Sequence, residues 1–235
     1  MRIMPANNTS GLVHWLAGKA PESIGLLYTP ARKESPRSWL PYALDNGAFA
    51  AAVNEKPFDW KAWEVAVEFF CHHEQPPLWL VVPDIPFDGQ GTLRQWNELA
   101  NGHRQFGVPL ALAVQDGMEA HDVEQLTIIP DIIFIGGSTE WKWATVEMWC
   151  NRFPRVHVAR VNGRRGLDIC AKHGAESCDG SGWFRGRLPQ LIELTGFIAD
   201  RYGLNPAECA AAAASSRYAR DAQKVMQFEY LKEAV

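Results

Sequence analysis

This sequence of 235 residues lacks the signatures of several large classes of protein. Its 5 cysteines form no CxxC pair, which argues against a structural zinc site or a disulfide framework and predicts reduced thiols in the cytoplasm. No apolar run approaches the roughly 20 residues that a membrane-spanning helix needs, and the amino terminus lacks the apolar core of a secretory signal. No P-loop, dinucleotide-binding glycine motif or HExxH motif occurs. What remains is a globular composition, with 47% apolar and 21% charged residues.

Basic residues are concentrated in one segment of the chain. The formal net charge is −4, but residues 152–187 carry eight Lys or Arg against three acids, which leaves a balance of −9 for the remainder. Such an asymmetry predicts a surface that faces a polyanion on an otherwise acidic body. The alternative is that these side chains belong to solvated loops and helix ends.

Eight short apolar segments recur along the chain, and amphipathic segments separate most of them. The segments are centred near residues 3, 25, 43, 80, 111, 133, 158 and 177. Their continuous apolar character is typical of strands buried on both faces of a parallel sheet. We therefore predict a single α/β domain over residues 1–235, a compact (β/α)8 TIM-type barrel without a zinc subdomain. A doubly wound open sheet uses the same alternation and is the alternative.

Helical periodicity and capping residues place the helices between these strands. Helices are expected over residues 11–19, 58–73, 88–106, from about 119, 139–152, 167–173 and 189–202, with one or two more over 206–235. The extra helices from about residue 186 onward are predicted to pack on the barrel.

Polar and small residues follow six of the predicted strands. They are Asp45-Asn46-Gly47, Asp84, Gln115-Asp116-Gly117, Gly136-Gly137-Ser138, Arg160 with Asn162-Gly163, and Asp179-Gly180-Ser181-Gly182. Barrel enzymes place their chemistry at the carboxyl ends of the strands, so these residues are candidates for an active site. Each loop alone is also compatible with ordinary turn formation.

Three of these residues are the acids Asp45, Asp84 and Asp179, which indicates either a metal site or carboxylate chemistry at a sugar carbon. No histidine joins the strand ends at ligand spacing, so neither a metal nor another cofactor is predicted. We interpret Asp179, in a turn after the last strand, as a catalytic nucleophile. His157 lies inside a predicted strand, where a satisfied core histidine is the ordinary interpretation.

The ordered motifs LDNGAF, VVPDIP, AVQDG, FIGGS, VHVARVNG and ESCDGSGW resemble those of the tRNA-guanine transglycosylase superfamily. More narrowly, they are similar to small phage-type enzymes that place 7-deazaguanine bases in DNA. The similarity runs from about Leu44 to Trp183. It implies a pentosyltransferase that exchanges guanine in DNA for a 7-deazaguanine derivative through a covalent aspartyl–C1′ intermediate, in the host cytoplasm if the protein is viral.

The resemblance also implies roles for individual residues. Asp179 matches the nucleophile and Asp45 the general acid/base. The implied substrate-binding residues are Asp84, Gln115, Gly136, Gly137, Ser138, Phe49 and Arg160. The basic segment 152–187 predicts the nucleic-acid contacts: Arg164, Arg165, Lys172, Arg185 and Arg187 bind phosphates, and Trp183 stacks on a base.

Three departures from the superfamily bear on the substrate. The clustered cysteines of the tRNA enzymes' zinc site are missing and the chain is shorter, which favours DNA over tRNA as the partner. Arg160 stands where the family has a pocket methionine. A tRNA-directed enzyme, an N-glycosidase that uses water as the acceptor, and a non-catalytic barrel subunit of a base-modification complex remain alternatives, and a homodimer is possible.

Overall fold

The computed structural model describes residues 1–7, 10–31, 35–185 and 188–215, with only the backbone of residues 184 and 185. Strands and helices alternate over most of this part of the chain. The strands are β1 Arg2–Pro5, β2 Leu26–Tyr28, β3 Tyr42–Leu44, β4 Leu80–Val81, β5 Leu110–Val114, β6 Ile132–Ile135, β7 Val156–Val158 and β8 Ser177–Gly180. The helices are α1 Gly11–Lys19, α2 Ala48–Val53, α3 Trp60–Cys71, α4 Gly89–Arg104, α5 Ala120–Glu124, α6 Thr139–Arg152, α7 Arg164–Lys172, α8 Gly182–Arg185, α9 Leu188–Tyr202 and α10 Pro206–Ser215.

The eight strands form one parallel sheet that closes on itself. Their order is β1-β8-β7-β6-β5-β4-β3-β2, and the two end strands meet through parallel bridges between Ile3 and Ile24 and between Ala6 and Leu27. The fold is therefore a nearly closed (β/α)8 barrel. The predicted barrel and all eight predicted strands are confirmed, and the alternative of an open doubly wound sheet is wrong.

The core has two layers, which the alternation of side chains along each strand explains. The inner layer fills the barrel with Met4, Leu27, Ala43, Trp79, Val81, Ala111, Ala113, Ile132, Phe134 and Ala159. The outer layer packs the opposite strand faces against the helices. A filled interior leaves the loops at the carboxyl ends of the strands as the place for a site.

Several boundaries differ from the sequence-based expectation. Strand β8 was expected to end at Cys178, but it runs to Gly180 because Met4 and Pro5 of β1 pair with Asp179 and Gly180. Asp179 therefore lies in a strand and not in the turn that follows it. Helix α7 begins at Arg164, three residues earlier than expected, because the Glu193 carboxylate accepts the Arg164 N–H at 3.3 Å.

Helices α9 and α10 contact residues near the amino terminus. The Tyr202 hydroxyl donates to the Met1 carbonyl at 2.9 Å, and Lys19 of α1 pairs with Glu208 of α10 at 3.4 Å. The continuation of the last predicted helix, residues 216–235, lies outside the described residues. Over the described residues, the helices are too short or too polar to cross a bilayer.

Candidate functional site

Asp179 projects into the barrel near its upper end and is held by two donors. Its Oδ1 accepts the backbone N–H of Arg160 at 3.1 Å and lies 3.1 Å from His157 Nε2. The residue is only 7% exposed. A buried carboxylate needs such hydrogen-bond donors, and these two donors fix the position of Asp179 Oδ1.

His157 is a site residue that sequence analysis did not identify. The ring is fully buried and stacks on Phe134 at 4.9 Å between ring centroids. Its Nδ1 lies 2.8 Å from Ser177 Oγ. These contacts are satisfied by the neutral tautomer in which Nε2–H donates to Asp179 and Nδ1 accepts from Ser177. Side chains alternate between the two faces of a strand, so His157, Ser177 and Asp179 lie on the inner face of β7 and β8. This alternation is the sequence feature that could have identified His157 as a site residue.

Asp45 lies at the end of β3, where it is partly buried. Burial first, and then the negative charge of Asp179, raise the pKa of Asp45 to about 7. The N–H of Gly47 lies 3.4 Å from Asp45 Oδ1 and opposes this shift. Gly47 has φ = 82°, a conformation that glycine adopts without steric cost. Near neutral pH, Asp45 is therefore able to hold and donate a proton beside a charged Asp179.

Asp84 is held by two amide side chains. Asn46 Nδ2 donates to its Oδ1 at 2.7 Å, and Gln115 Nε2 donates to its Oδ2 at 2.6 Å. Burial raises the pKa of Asp84 to about 6, although the two amide donors act in the opposite direction. Asn46 also donates to the Val82 carbonyl at 3.1 Å, so strands β3, β4 and β5 are connected at their carboxyl ends.

Hydrogen bonds from Gln115 and Arg160 hold the loop after β6. Gln115 Oε1 accepts the N–H groups of Gly137 at 2.9 Å and Phe87 at 3.0 Å, and the Arg160 guanidinium donates to the carbonyls of Gly136 and Gly137. A Cβ atom at Gly137 would lie 2.6 Å from the Trp141 ring, so glycine is required for packing here. The implied roles of these glycines and of Gln115 as free contacts to a base are therefore corrected, since these groups are occupied by protein partners.

Ser138 is likewise committed to the protein. Its hydroxyl donates to Asp116 Oδ1 at 2.5 Å, and its N–H donates to Asp116 Oδ2 at 2.7 Å. The same hydroxyl accepts the Trp141 N–H at 3.4 Å as the cap of α6. In this structure Ser138 caps α6, and its contact with a substrate stays a prediction.

Two aromatic residues and Arg160 form the rim of the site. Phe49 is 38% exposed and contacts Phe87 edge-on at 5.9 Å between ring centroids. The Arg160 guanidinium lies 4.2 Å from the centre of the Phe49 ring. Arg160 has φ = 56°, and strained residues of this kind cluster at functional sites. The structure therefore brings together Asp45, Asp84, Asp179, Phe49 and Arg160.

The residues proposed to contact nucleic acid are not part of this cluster. Arg165 and Lys172 are exposed on α7, and Arg164 pairs with Asp168 and Asp200. Trp183 is fully buried, so its predicted stacking on a base is corrected to a core position. The Arg185 side chain and Arg187 lie outside the described part of the chain. Nucleic-acid binding by this face stays a prediction.

We expect Asp45 to make stability depend on pH. Burial raises its pKa from the ordinary value of 3.8 to about 7 in the folded protein, so the folded state retains a proton that the unfolded chain loses in this window. The free energy of unfolding should therefore fall by about 1–3 kcal/mol as the pH rises from about 4 to about 7. Asp45→Asn should flatten that slope in urea unfolding series at several pH values.

Asp168→Asn is a suitable control because Asp168 is an exposed carboxylate of the Arg164 ion pair. It should keep the wild-type slope. If Asp45→Asn kept that slope as well, Asp45 would not be the group that retains the proton.

Comparisons with known proteins bear on the fold of this barrel. No family model matches the chain, and no curated protein matches it in sequence. A crystal structure of a putative fructose-1,6-biphosphate aldolase from Coccidioides immitis is 10% identical, with a TM-score of 0.53, over 97% of this chain and 88% of that one. A 3-hexulose-6-phosphate synthase is 11% identical, with a TM-score of 0.45, over 94% of this chain and 98% of that one. The tryptophan synthase alpha subunit from Legionella pneumophila is 10% identical, with a TM-score of 0.49, over 94% of this chain and 90% of that one.

These comparisons correct the family assignment. The neighbour with the TM-score of 0.53 is a barrel described as an aldolase and not as a transglycosylase, and neither a family model nor a curated sequence supports the resemblance. The predictions of a tRNA-guanine transglycosylase relative and of a base-exchange enzyme acting with 7-deazaguanine are therefore wrong. The motifs that carried the resemblance are short loops after strands. Many unrelated barrels have such loops, because glycine, aspartate and asparagine form the turns and helix caps there. Enzymes of many kinds have this fold, so the fold alone does not define a reaction, and the side chains of the site determine the chemistry.

Proposed function

We propose that this protein is an acid–base enzyme that moves protons on a small carbonyl compound through an enol intermediate. The main support for this proposal is the pair of carboxyl groups at one mouth of the barrel. Asp45 is able to retain a proton near pH 7 beside the charge of Asp179. Two carboxyl groups in different protonation states provide an acid and a base at the same time.

Asp179 is the base in this proposal. Its carboxylate removes a proton from the carbon next to the substrate carbonyl, and the electron pair of that C–H bond forms the C=C bond of the enol. The Arg160 N–H and His157 hold Oδ1, which leaves Oδ2 to accept the proton. Fixed geometry of this kind lowers the cost of orienting the reacting groups.

Asp45 is the acid. It donates its proton to the substrate carbonyl oxygen as negative charge develops there, so Asp45 becomes ionised while Asp179 becomes protonated. When Asp179 returns a proton to the same carbon, the enol oxygen returns its proton to Asp45 and the substrate is regenerated. When Asp179 instead protonates the former carbonyl carbon of an enediol, the hydroxyl on the other carbon gives its proton to Asp45 and becomes the new carbonyl. A carboxylic acid kept neutral by a partly apolar environment is suited to this role.

The charges at the mouth favour a substrate without a phosphate group. Among the side chains that the structure describes, the Arg160 guanidinium interacts electrostatically with three carboxylates at the mouth, those of Asp84, Asp116 and Asp179. Barrels that hold a phosphate commonly do so at the loops after strands 7 and 8. Here the Gly182 N–H donates to Asn162 Oδ1 at 2.8 Å and the Arg164 N–H donates to Glu193 at 3.3 Å. These donors are already used, so we propose a neutral hydroxy ketone or hydroxy aldehyde.

Solvent exchange tests the proposal directly. The protein is incubated in deuterium oxide with unphosphorylated hydroxy aldehydes and hydroxy ketones of three to six carbons, and proton NMR follows the C–H signal next to the carbonyl. We expect enzyme-dependent loss of that signal, with a rate that falls as the pH rises through about 7, because Asp45 then loses the proton that it must donate.

The phosphorylated form of each reactive compound serves as the matched comparison and should exchange more slowly. Exchange no faster than with the Asp179→Asn protein for every compound would contradict the proposal. A rate that rose through pH 7 would contradict the role of Asp45 as the acid.

A further inference from the structure

A buried lysine lies directly behind the site. Lys142 of α6 is 1% exposed, and its Nζ donates to the Ala159 carbonyl at 2.6 Å and to the Arg160 carbonyl at 3.3 Å. The ammonium also lies 4.7 Å from the centre of the Trp143 ring. Burial, and then the charge of Arg160, lower the pKa of Lys142 to about 8. Burying a charge is costly, and the proposed reaction steps do not use this side chain.

The carbonyl that Lys142 binds belongs to the peptide group whose N–H binds Asp179. The C=O of Ala159 and the N–H of Arg160 share one planar unit and point in opposite directions when that unit is trans. The carbonyl oxygen accepts from Lys142 at 2.6 Å, and the N–H donates to Asp179 Oδ1 at 3.1 Å. One peptide group therefore connects the buried ammonium to the buried carboxylate.

The backbone at this position is strained, which explains why it needs support. Arg160 has φ = 56°, a conformation that costs a residue with a side chain about 1–3 kcal/mol. It directs the Arg160 N–H to Asp179 and the guanidinium to the carbonyls of Gly136 and Gly137. Lys142 binds the carbonyl on each side of the strained Cα atom, so loss of its ammonium removes support from both peptide groups.

We infer that Lys142 is a positioning residue, whose ammonium holds the Ala159–Arg160 peptide so that the Arg160 N–H keeps the Asp179 carboxylate in place. A cation on the carbonyl oxygen also polarises the peptide and strengthens its N–H as a donor. Lys142 acts through this peptide and does not contact the substrate. The expected effect on rate rests on the proposed function, whereas the hydrogen-bond connection can be measured without a substrate.

The variant Lys142→Met tests this role because it keeps an unbranched buried side chain and removes the donor. We expect kcat in the exchange assay to fall up to about 100-fold, with KM within about twofold, because a small displacement of the base affects the chemical step more than binding. In protein labelled with ¹⁵N-arginine, the Arg160 amide proton should move upfield as its hydrogen bond weakens. That resonance is identified by its loss in Arg160→Lys.

Lys61→Met is the matched control, since Lys61 is an exposed lysine on α3, and it should change neither kcat nor the Arg160 resonance. Wild-type kcat and a wild-type Arg160 resonance in Lys142→Met would overturn the inference. If Lys142→Met fails to fold, Lys142→Gln keeps a donor without the charge and should show the same changes to a smaller extent. Wild-type values in that variant would likewise overturn the role of the charge.

The two proposals fail in different ways. If the wild-type protein exchanges no carbonyl compound but the Arg160 resonance moves in Lys142→Met, the proposed function is wrong and the positioning by Lys142 stands. If exchange occurs and neither kcat nor the resonance responds to Lys142→Met, the positioning is wrong and the proposed function stands.

Discussion

Replacing Asp179 with asparagine is expected to lower kcat/KM for carbonyl turnover about 10²- to 10⁴-fold and to leave the barrel folded. This is the usual range for loss of a general base. The asparagine oxygen can accept the same two hydrogen bonds, from the Arg160 N–H and from His157. The amide group cannot remove a proton from carbon, so the effect should fall on the chemical step.

The measurement is the rate of C–H exchange in deuterium oxide, made together with urea unfolding of the same preparations. Asp168→Asn, at the exposed pair with Arg164, controls for loss of a carboxylate elsewhere and should keep wild-type turnover. An Asp179→Asn protein that retained more than a tenth of wild-type turnover would show that another group removes the proton. A large loss of stability would instead show that the charge of Asp179 matters to folding.

Replacing Trp79 with alanine should produce the largest loss of stability of any substitution considered for this protein. Trp79 is 1% exposed inside the barrel, and its ring lies 4.9 Å from the His157 ring and 6.0 Å from the Phe134 ring between centroids. Removing a buried tryptophan side chain costs about 3–5 kcal/mol, because the transfer free energy of the ring is lost and a cavity remains. A closed barrel cannot collapse far around such a cavity.

Urea unfolding followed by circular dichroism measures this effect. Trp39→Ala is the matched control, because Trp39 is 60% exposed and should cost less than about 1 kcal/mol. A loss below about 1 kcal/mol in Trp79→Ala would contradict the close packing of the barrel interior. Because Trp79 also contacts His157, the variant is expected to lower turnover beyond its effect on stability.

Burying the charged groups of the site costs free energy, and each of these groups has a defined hydrogen-bond partner. Asp179 is held by a histidine and a peptide N–H, and Asp84 by two side-chain amides. Lys142 is held by two carbonyl groups behind the site. Buried groups with complete hydrogen bonding stay in one arrangement, which is what an acid and a base acting on one substrate require.

Most of the fold could be predicted from the sequence because strands and helices leave a local signal. Apolar runs such as residues 110–114 and 132–135 mark strands buried on both faces. Apolar residues at helical spacing, such as Trp63, Ala66, Val67 and Phe70 of α3, mark the helix faces that pack against the strands. The end of β8 could not be predicted, since it depends on pairing with β1 at the other end of the chain.

The candidate site was predicted only in part. Asp45, Asp84 and Asp179 were found because acids at strand ends stand out in the sequence. His157 and Lys142 were not, because a histidine in a strand and a lysine in a helix have no unusual local pattern. The family assignment failed for a related reason: glycines and aspartates in loops after strands serve turns and caps in many barrels, and here Ser138 caps α6.

The sequence by itself determined the alternation of eight strands with helices and the placement of three carboxylates at strand ends, because both depend on side chains close together in the chain. Only the tertiary structure decided which of those groups are free to act. It showed that Gln115 and Gly137 are occupied by protein partners, that Trp183 is buried, and that Lys142 reaches Asp179 through one peptide group. Protonation and hydrogen bonding depend on burial and on neighbours distant in sequence, and barrel closure brings those neighbours together.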